Sequence, residues 1–181
     1  LSEKSMKTIS TQKPEALPVH IHCAEDGADL NYCKGLGYEG AVDRLNEFGL
    51  LSKETLLAHC IHLSEKDYKL LDEIQPNIIS NPESNANNNV GQMNIDKIKN
   101  YVLGTDGMTG NTLGTMRSHF LQRHGNINDP MNILFKNSAN MMSTYFPDTG
   151  RLQVGALADL AICNYRPVTN INLDNIFYHL M

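Results

Sequence analysis

The sequence predicts an α/β fold in which four parallel strands alternate with helices, as in one half of an eight-stranded (β/α)8 barrel. Short apolar, β-rich runs recur along the chain, and helix-period patterns separate them. These runs are apolar on both faces, which is typical of strands buried in a parallel sheet. An open doubly wound sheet is the competing architecture, but the G-x-G-x-x-G loop that usually follows its first strand does not occur. The four predicted strands cover residues 18–24, 55–63, 77–80 and 101–106.

Helix signals stand between these strands. The clearest is a capping box, in which Ser64 and Asp67 have the spacing that satisfies the first backbone N–H groups of a helix. Pro76 then ends this helix, because proline cannot continue the hydrogen-bond ladder. From Gly150 onward the pattern changes to strand-like runs broken by glycine turns. The other predicted helices cover residues 1–10, 38–49, 95–100, 112–124 and 131–146.

Composition and charge exclude several classes of partner. The chain has 181 residues, 41% of them hydrophobic and 19% charged, with a net charge of −5, which is ordinary for a globular domain. No cluster of lysine and arginine is long enough to suggest a nucleic-acid partner or an anionic membrane surface. No apolar run reaches the length of a bilayer span, and the four cysteines lie far apart without a C-x-x-C pair. These features predict reduced thiols and a soluble, cytoplasmic protein.

All four predicted strands end in polar or ionisable residues. His22 is followed by Glu25, and the other strands end at His59, Asn81 and Asp106. About one βα unit separates each strand end from the next, and in a parallel barrel the reactive groups lie at the C-terminal ends of the strands. Imidazole nitrogens and a carboxylate suit Zn²⁺ or Fe²⁺, and a glutamate beside the ion can move protons. The spacing therefore predicts a metal site at this end of the sheet.

Each of these residues also has a structural interpretation. A strand histidine such as His22 is commonly a hydrogen-bonded core residue, Glu25 could be an ordinary loop charge, and Asp106 could form an Asp-Gly turn. His119 and His124 lie on a polar helix and at its end, where surface positions are expected. The four strand ends taken together are harder to explain by chance than any one of them.

The motifs HIHCAE, AHCIHLS, NPESNANNNVG and LGTDG, in this order, resemble barrel strands five to eight of the amidohydrolase superfamily. They are similar to its aminohydrolase and chlorohydrolase branch, which includes nucleobase and S-adenosylhomocysteine deaminases and triazine hydrolases, and look closest to SsnA-type aminohydrolases. The resemblance covers nearly the whole chain. It implies that residues 1–149 form the C-terminal half of the barrel, whereas residues 150–181 return to a small β-domain built from both chain ends.

The resemblance also implies roles for individual residues. His22 corresponds to the strand-five metal ligand, and Asp106 to the strand-eight aspartate that binds the metal and takes a proton from its water. Glu25 corresponds to the glutamate that delivers protons to the substrate and the leaving group. His59 corresponds to the strand-six histidine that polarises the attacked centre at or near the metal, whereas His20 has no counterpart. The implied substrate contacts are His62, Asn81 and Asn85.

For the complete protein the resemblance implies a metal-dependent hydrolase. A hydroxide bound to one divalent ion, Zn²⁺ or alternatively Fe²⁺, attacks a carbon of a small heterocyclic or amidine-like substrate, and ammonia or chloride leaves. Two alternatives stay open: amide hydrolysis on the same scaffold, and a non-catalytic domain that binds a small molecule or serves as a subunit. Ser80 stands where the family commonly has a histidine before Asn-Pro, which leaves the substrate open.

The strand order implies that a preceding half is missing. The family's strand-one H-x-H pair, which supplies two further ligands, should lie upstream of Leu1, and His20-x-His22 is not that pair because strand-five residues follow it. We therefore expect an incomplete piece with little or no activity and poor metal binding of its own. Its two free sheet edges would need the N-terminal half of the same protein, or another copy of the chain, as a partner.

Overall fold

The computed structural model describes residues 1–125 and 130–181. Within them, a parallel sheet with strand order β1-β2-β3-β4 is formed by β1 (His20–Cys23), β2 (Leu56–His59), β3 (Asn77–Ser80) and β4 (Val102–Leu103). Each strand pairs with the next one along the chain, and helical or turn segments connect them, as expected for consecutive βα units. The predicted parallel α/β fold is confirmed, and it brings the C-terminal ends of the strands to one edge of the sheet.

Helices fill the connections between the strands. The helix from Glu65 begins as predicted, because the side chains of Ser64 and Asp67 each accept a hydrogen bond from the other residue's backbone N–H. It ends at Gln75, which adopts a left-handed conformation directly before Pro76. The described helices are α1 (Glu3–Gln12), α2 (Gly27–Gly35), α3 (Ala41–Glu47), α4 (Glu65–Ile74), α5 (Pro82–Asn87), α6 (Thr112–Gln122), α7 (Ser138–Tyr145, preceded by π-helical Asn132–Asn137) and α8 (Ile176–Leu180).

Several local features differ from the sequence expectation. Helix α2 occupies part of the first connection, where no helix is predicted. Residues 95–100, predicted as a short helix, form turns instead. The side chain of Asn94 accepts hydrogen bonds from the backbone N–H groups of Asp96 and Lys97, and such an Asn turn competes with helix propagation.

His119 is buried, so the expectation of a surface position is wrong for this residue. The hydroxyl of Tyr101 forms a 2.8 Å hydrogen bond with its Nε2, and the two rings meet edge to face. Burial lowers the pKa of His119 to about 4 and raises the pKa of Tyr101 to about 12. His124, by contrast, is exposed as predicted.

Residues 150–175 form no strand, although their pattern predicts strand-like runs. Apolar side chains such as Leu152, Ile162 and Leu173 are almost fully exposed there. A strand needs a neighbouring strand to satisfy its backbone N–H and C=O groups, and none of the described strands pairs with this segment. The division of the chain at residue 150 therefore stays a prediction.

A continuous apolar core supports the sheet. Leu57 of β2, Val42 of α3 and Met116 of α6 have no exposed surface and belong to one cluster of buried side chains. This packing fixes the strands, so that residues at their ends project from a rigid base. Within the described ranges, no helix has the length and apolarity needed to span a bilayer.

Candidate metal centre

Four of the predicted residues meet at the C-terminal edge of the sheet. β1 and β2 pair in register, and the rings of His22 and His59 lie with their centroids 4.6 Å apart. Nε2 of His59 is 3.2 Å from Nδ1 of His22, and Oε2 of Glu25 is 3.6 Å and 3.7 Å from these two atoms. Asp106 approaches from the end of β4, with Oδ1 3.9 Å from Nε2 of His22 and Oδ2 3.7 Å from Nε2 of His59. Two imidazoles and two carboxylates thus form one cluster, in which Nδ1 of His22 faces Glu25 and His59 whereas its Nε2 faces Asp106.

The chemistry and spacing of this donor set fit a divalent transition metal. Ligand atoms arranged tetrahedrally at the usual zinc distances lie about 3.4 Å from one another, and Nδ1 of His22, Nε2 of His59 and Oε2 of Glu25 are separated by 3.2 to 3.7 Å. Even without Asp106, three residues offer ligand atoms that are all within 4.8 Å of one another: His22, Glu25 and His59. The residues present could therefore hold an ion with little movement of their side chains.

The site combines a closed side and an open side. His59 has no exposed side-chain surface, and the carboxylates of Glu25 and Asp106 are about three-quarters covered. The side chain of His22 is 57% exposed. His22 therefore lies on the exposed side of the cluster, while His59 forms its buried base.

Left-handed backbone conformations shape the strand ends that carry the site. Ala24, His59, Cys60 and Asp106 all have φ values between 50° and 75°. Non-glycine residues rarely adopt this region because the Cβ atom crowds the backbone, and such strained residues concentrate at functional sites. Ala24 turns the chain between His22 of β1 and Glu25, and its carbonyl accepts the N–H groups of Ile61 and of His62. The bends therefore direct successive side chains into this cluster.

The segment after β3 supports three of the four site residues from behind. Oδ1 of Asn85 is 2.7 Å from Nδ1 of His59, and the Ser84 hydroxyl donates to Oδ2 of Asp106 over 2.6 Å. Nδ2 of Asn88 donates to Oε1 of Glu25 over 3.2 Å. Sequence reasoning missed Ser84 and Asn88 because the segment reads as an Asn-rich connection, although Pro82 at the first helical position is a signal for the short helix that orients them.

The carboxyl group of Asp106 is held in its charged form. The hydrogen bond from the Ser84 hydroxyl is the largest influence that lowers its pKa, and the backbone N–H of Gly107 and the nearby His22 and His59 act in the same direction. A charged carboxylate is the form that binds a cation. The surroundings of Asp106 thus favour its metal-binding form.

The remaining predicted residues lie around this cluster. Asn81 is buried, with Nδ2 3.3 Å from Nε2 of His59, and Asn85 is 1% exposed. His62 lies outside the cluster, with Nε2 2.7 Å from the carbonyl oxygen of Val90. His20 is exposed. Substrate contacts by His62, Asn81 and Asn85 stay predictions.

Comparison with known proteins identifies relatives across the whole chain. The profile of the Amidohydrolase family matches residues 2–180. A 5-methylthioadenosine/S-adenosylhomocysteine deaminase of Desulfitobacterium hafniense is 34% identical over 58% of this chain and 26% of that protein. A 5'-deoxyadenosine deaminase of Methanocaldococcus jannaschii is 28% identical over 99% of this chain and 46% of that protein. The structure of E. coli guanine deaminase superposes with a TM-score of 0.71 and 27% identity, over 79% of this chain and 37% of that one. The chain thus spans less than half the length of these relatives.

Proposed function

Because the chain belongs to the amidohydrolase family, we propose that the complete protein is a metal-dependent hydrolase that removes the amino group of an aminopurine or a related small heterocycle. The observation that carries the proposal is the clustering of His22, Glu25, His59 and Asp106 at the C-terminal edge of the sheet. The relatives named for deamination of 5-methylthioadenosine, 5'-deoxyadenosine and guanine support this substrate class.

The proposed cofactor is one divalent ion, Zn²⁺ or alternatively Fe²⁺. His22 and Asp106 are the proposed ligands from this chain, with His59 at or beside the ion. Such an ion supplies Lewis acidity and a nucleophilic water at neutral pH. Further ligands are proposed to come from a part of the protein outside these 181 residues, since the chain covers at most 46% of the relatives compared above.

Glu25 is the proposed proton carrier. Asn88 holds its Oε1, whereas Oε2 faces the two histidines. Oε2 can therefore exchange a proton with a substrate nitrogen and then with the leaving amino group. Asp106 has a complementary arrangement, because Ser84 occupies Oδ2 and leaves Oδ1, the atom nearer His22, to accept a proton.

Further proposals concern an alternative leaving group, the C-terminal segment, a partner and the location. A chlorohydrolase reaction would use the same four side chains with chloride as the leaving group. Residues 150–181 are proposed to form strands of a small β-domain with a segment outside this chain, and a second copy of the protein is a candidate partner. The free, buried thiols of Cys23, Cys33 and Cys60 support a cytoplasmic location.

Metal content is the first experiment. Mass spectrometry of the complete protein should find close to one divalent ion per chain, and Asp106→Ala should lose it. Asp72→Ala is the matched control, because Asp72 is exposed on α4 and lies away from the site. A protein without metal after expression in metal-replete medium would contradict the proposal and favour a non-catalytic binding domain.

Turnover is the second experiment. Ammonia release and chloride release are measured with aminopurine nucleosides, guanine and chlorinated heterocycles. Glu25→Gln should lower kcat about 10²–10⁴-fold, because proton transfer is worth this much, whereas Glu73→Gln, an exposed residue of α4, should not. Equal activity of the wild type and Glu25→Gln would remove Glu25 from the mechanism.

A further inference from the structure

Asn85 faces His59 and not the open side of the site. It is 1% exposed, and its Oδ1 is 2.7 Å from Nδ1 of His59. An amide oxygen can only accept a hydrogen bond, so Nδ1 of His59 must carry the proton. The amide oxygen of Asn85 is therefore engaged by the ring of His59.

A second contact assigns the same tautomer to His59. Nδ2 of Asn81 lies 3.3 Å from Nε2 of His59. An amide nitrogen can only donate, so Nε2 must present its lone pair. Two asparagines therefore contact opposite nitrogens of the ring, and both contacts require the Nδ1–H tautomer of His59.

Hydrogen bonds anchor helix α5 and thereby fix the position of Asn85. The carboxylate of Glu83 accepts hydrogen bonds from the hydroxyls of Thr109, Thr115 and Ser118 over 3.4, 3.3 and 3.0 Å. The backbone of Asn85 is fixed as well, because its carbonyl accepts the N–H of Val90 over 3.1 Å. The amide oxygen opposite His59 is thus held by the fold.

We propose that Asn85 is a positioning residue that fixes the tautomer and ring orientation of His59, so that Nε2 directs its lone pair into the site. The consequence for turnover rests on the proposed function, but the tautomer itself does not. This assignment replaces a substrate contact by Asn85, because the side chain is buried and its oxygen is already engaged. A hydrogen-bonded partner on the far ring nitrogen is also how proteins orient a metal-ligating histidine.

The tautomer can be measured directly by ¹⁵N NMR of histidine-labelled complete protein after removal of metal with a chelator, with His59→Gln identifying the signals of this ring. The wild type should show a protonated Nδ1 and an unprotonated Nε2. Asn85→Asp keeps an acceptor opposite Nδ1 and should preserve this pattern, whereas Asn85→Leu removes the acceptor and should shift the population toward the Nε2–H form. Asn140→Leu, an exposed helical asparagine far along the chain, is the control and should leave His59 unchanged.

An Nε2–H tautomer in the wild type or in Asn85→Asp would overturn the proposal, and so would an unchanged ring in folded Asn85→Leu. If Asn85→Leu does not fold, the Asn85→Asp spectrum still tests the proposal. A carboxylate opposite Nδ1 can only accept a hydrogen bond, so the Nδ1–H tautomer of His59 is expected.

Kinetics separate this proposal from the proposed function. A positioning role predicts that Asn85→Leu lowers kcat or metal affinity about 10–100-fold, as second-layer substitutions at metal sites do, with KM little changed. A raised KM at unchanged kcat would indicate a substrate contact and contradict positioning. If the wild type has neither metal nor activity, the proposed function is wrong. The tautomer of His59 is measured independently by NMR, so that result tests the role of Asn85 in either case.

Discussion

The hydroxyl of Ser84 donates a 2.6 Å hydrogen bond to Oδ2 of Asp106, across the gap between helix α5 and the end of β4. It is the largest influence that lowers the pKa of this carboxyl. The bond also leaves Oδ1 as the oxygen nearer His22. Ser84 thus favours the charged form of Asp106 through a single hydrogen bond to Oδ2.

Replacing Ser84 by alanine should raise the pKa of Asp106. The folded-state pKa is depressed because the hydroxyl stabilises the carboxylate, so removing it moves the titration toward the ordinary value. A ¹³C NMR titration of the aspartate carboxyls in metal-free protein measures the change. Ser143→Ala, on the exposed face of α7, is the control. An unmoved Asp106 titration in Ser84→Ala would contradict this explanation of the shift.

The buried His119 should make stability depend on pH. Its folded-state pKa is about 4, against 6.5 for a free histidine, so between these values the unfolded chain binds a proton that the folded chain does not. The free energy of unfolding should therefore fall as pH drops through this window, by up to about 3 kcal/mol from this residue. Urea unfolding at a series of pH values measures the slope.

His119→Gln should flatten that slope, whereas His124→Gln should retain it because His124 is exposed. An identical pH dependence for His119→Gln and the wild type would mean that His119 takes up its proton inside the folded protein.

Gly40→Ala should destabilise the protein by about 1–3 kcal/mol, the range found for overpacked sites. A Cβ atom at Gly40 would lie 1.7 Å from Oδ2 of Asp67. The Asp67 carboxylate is fully buried and accepts the backbone N–H groups of Asp43 and Ser64, so it cannot move without losing both hydrogen bonds. Gly35→Ala, with no atom within 4 Å of the new methyl group, should cost nothing. Equal urea midpoints for the two variants would contradict the clash.

Gly104→Ala should displace Asn81, which contacts His59 of the site. A Cβ atom there would lie 2.3 Å from Oδ1 of Asn81 and 2.6 Å from Cγ2 of Ile79. Because Asn81 contacts Nε2 of His59, its displacement should lower turnover in the complete protein while most of the fold persists. Circular dichroism and kcat are the paired measurements, with Gly35→Ala as the control. Full activity with a native spectrum would show that Asn81 is free to move.

Short-range signals explain why much of the fold was predictable. The Ser64–Asp67 capping box depends on residues three apart, and the structure contains both of its hydrogen bonds. The strand ends at His22, His59 and Asp106 were found because a parallel sheet brings residues one βα unit apart to the same edge. The structure brings these side chains together with Glu25.

What the sequence did not predict depends on weaker or longer-range effects. Helix α2 has little amphipathic pattern, since Cys33 is its only buried residue, although Asp26 and Asp29 form a capping box that could have indicated its start. His119 lies on a helix with a polar sequence, and its burial involves packing against Tyr101, 18 residues earlier in the chain. The role of Ser84 depends likewise on a contact across 22 residues.

The left-handed residues at the strand ends carry an evolutionary consequence. Ala24 and Cys60 hold conformations that glycine or asparagine would adopt at lower energy. Selection for stability alone would favour such replacements, whereas selection for the arrangement of side chains that these bends produce would keep the present residues. A lineage released from that selection should accumulate glycine or asparagine at these positions before its core changes. Descendants that keep the fold but have lost the catalytic activity should therefore have glycine or asparagine at these positions.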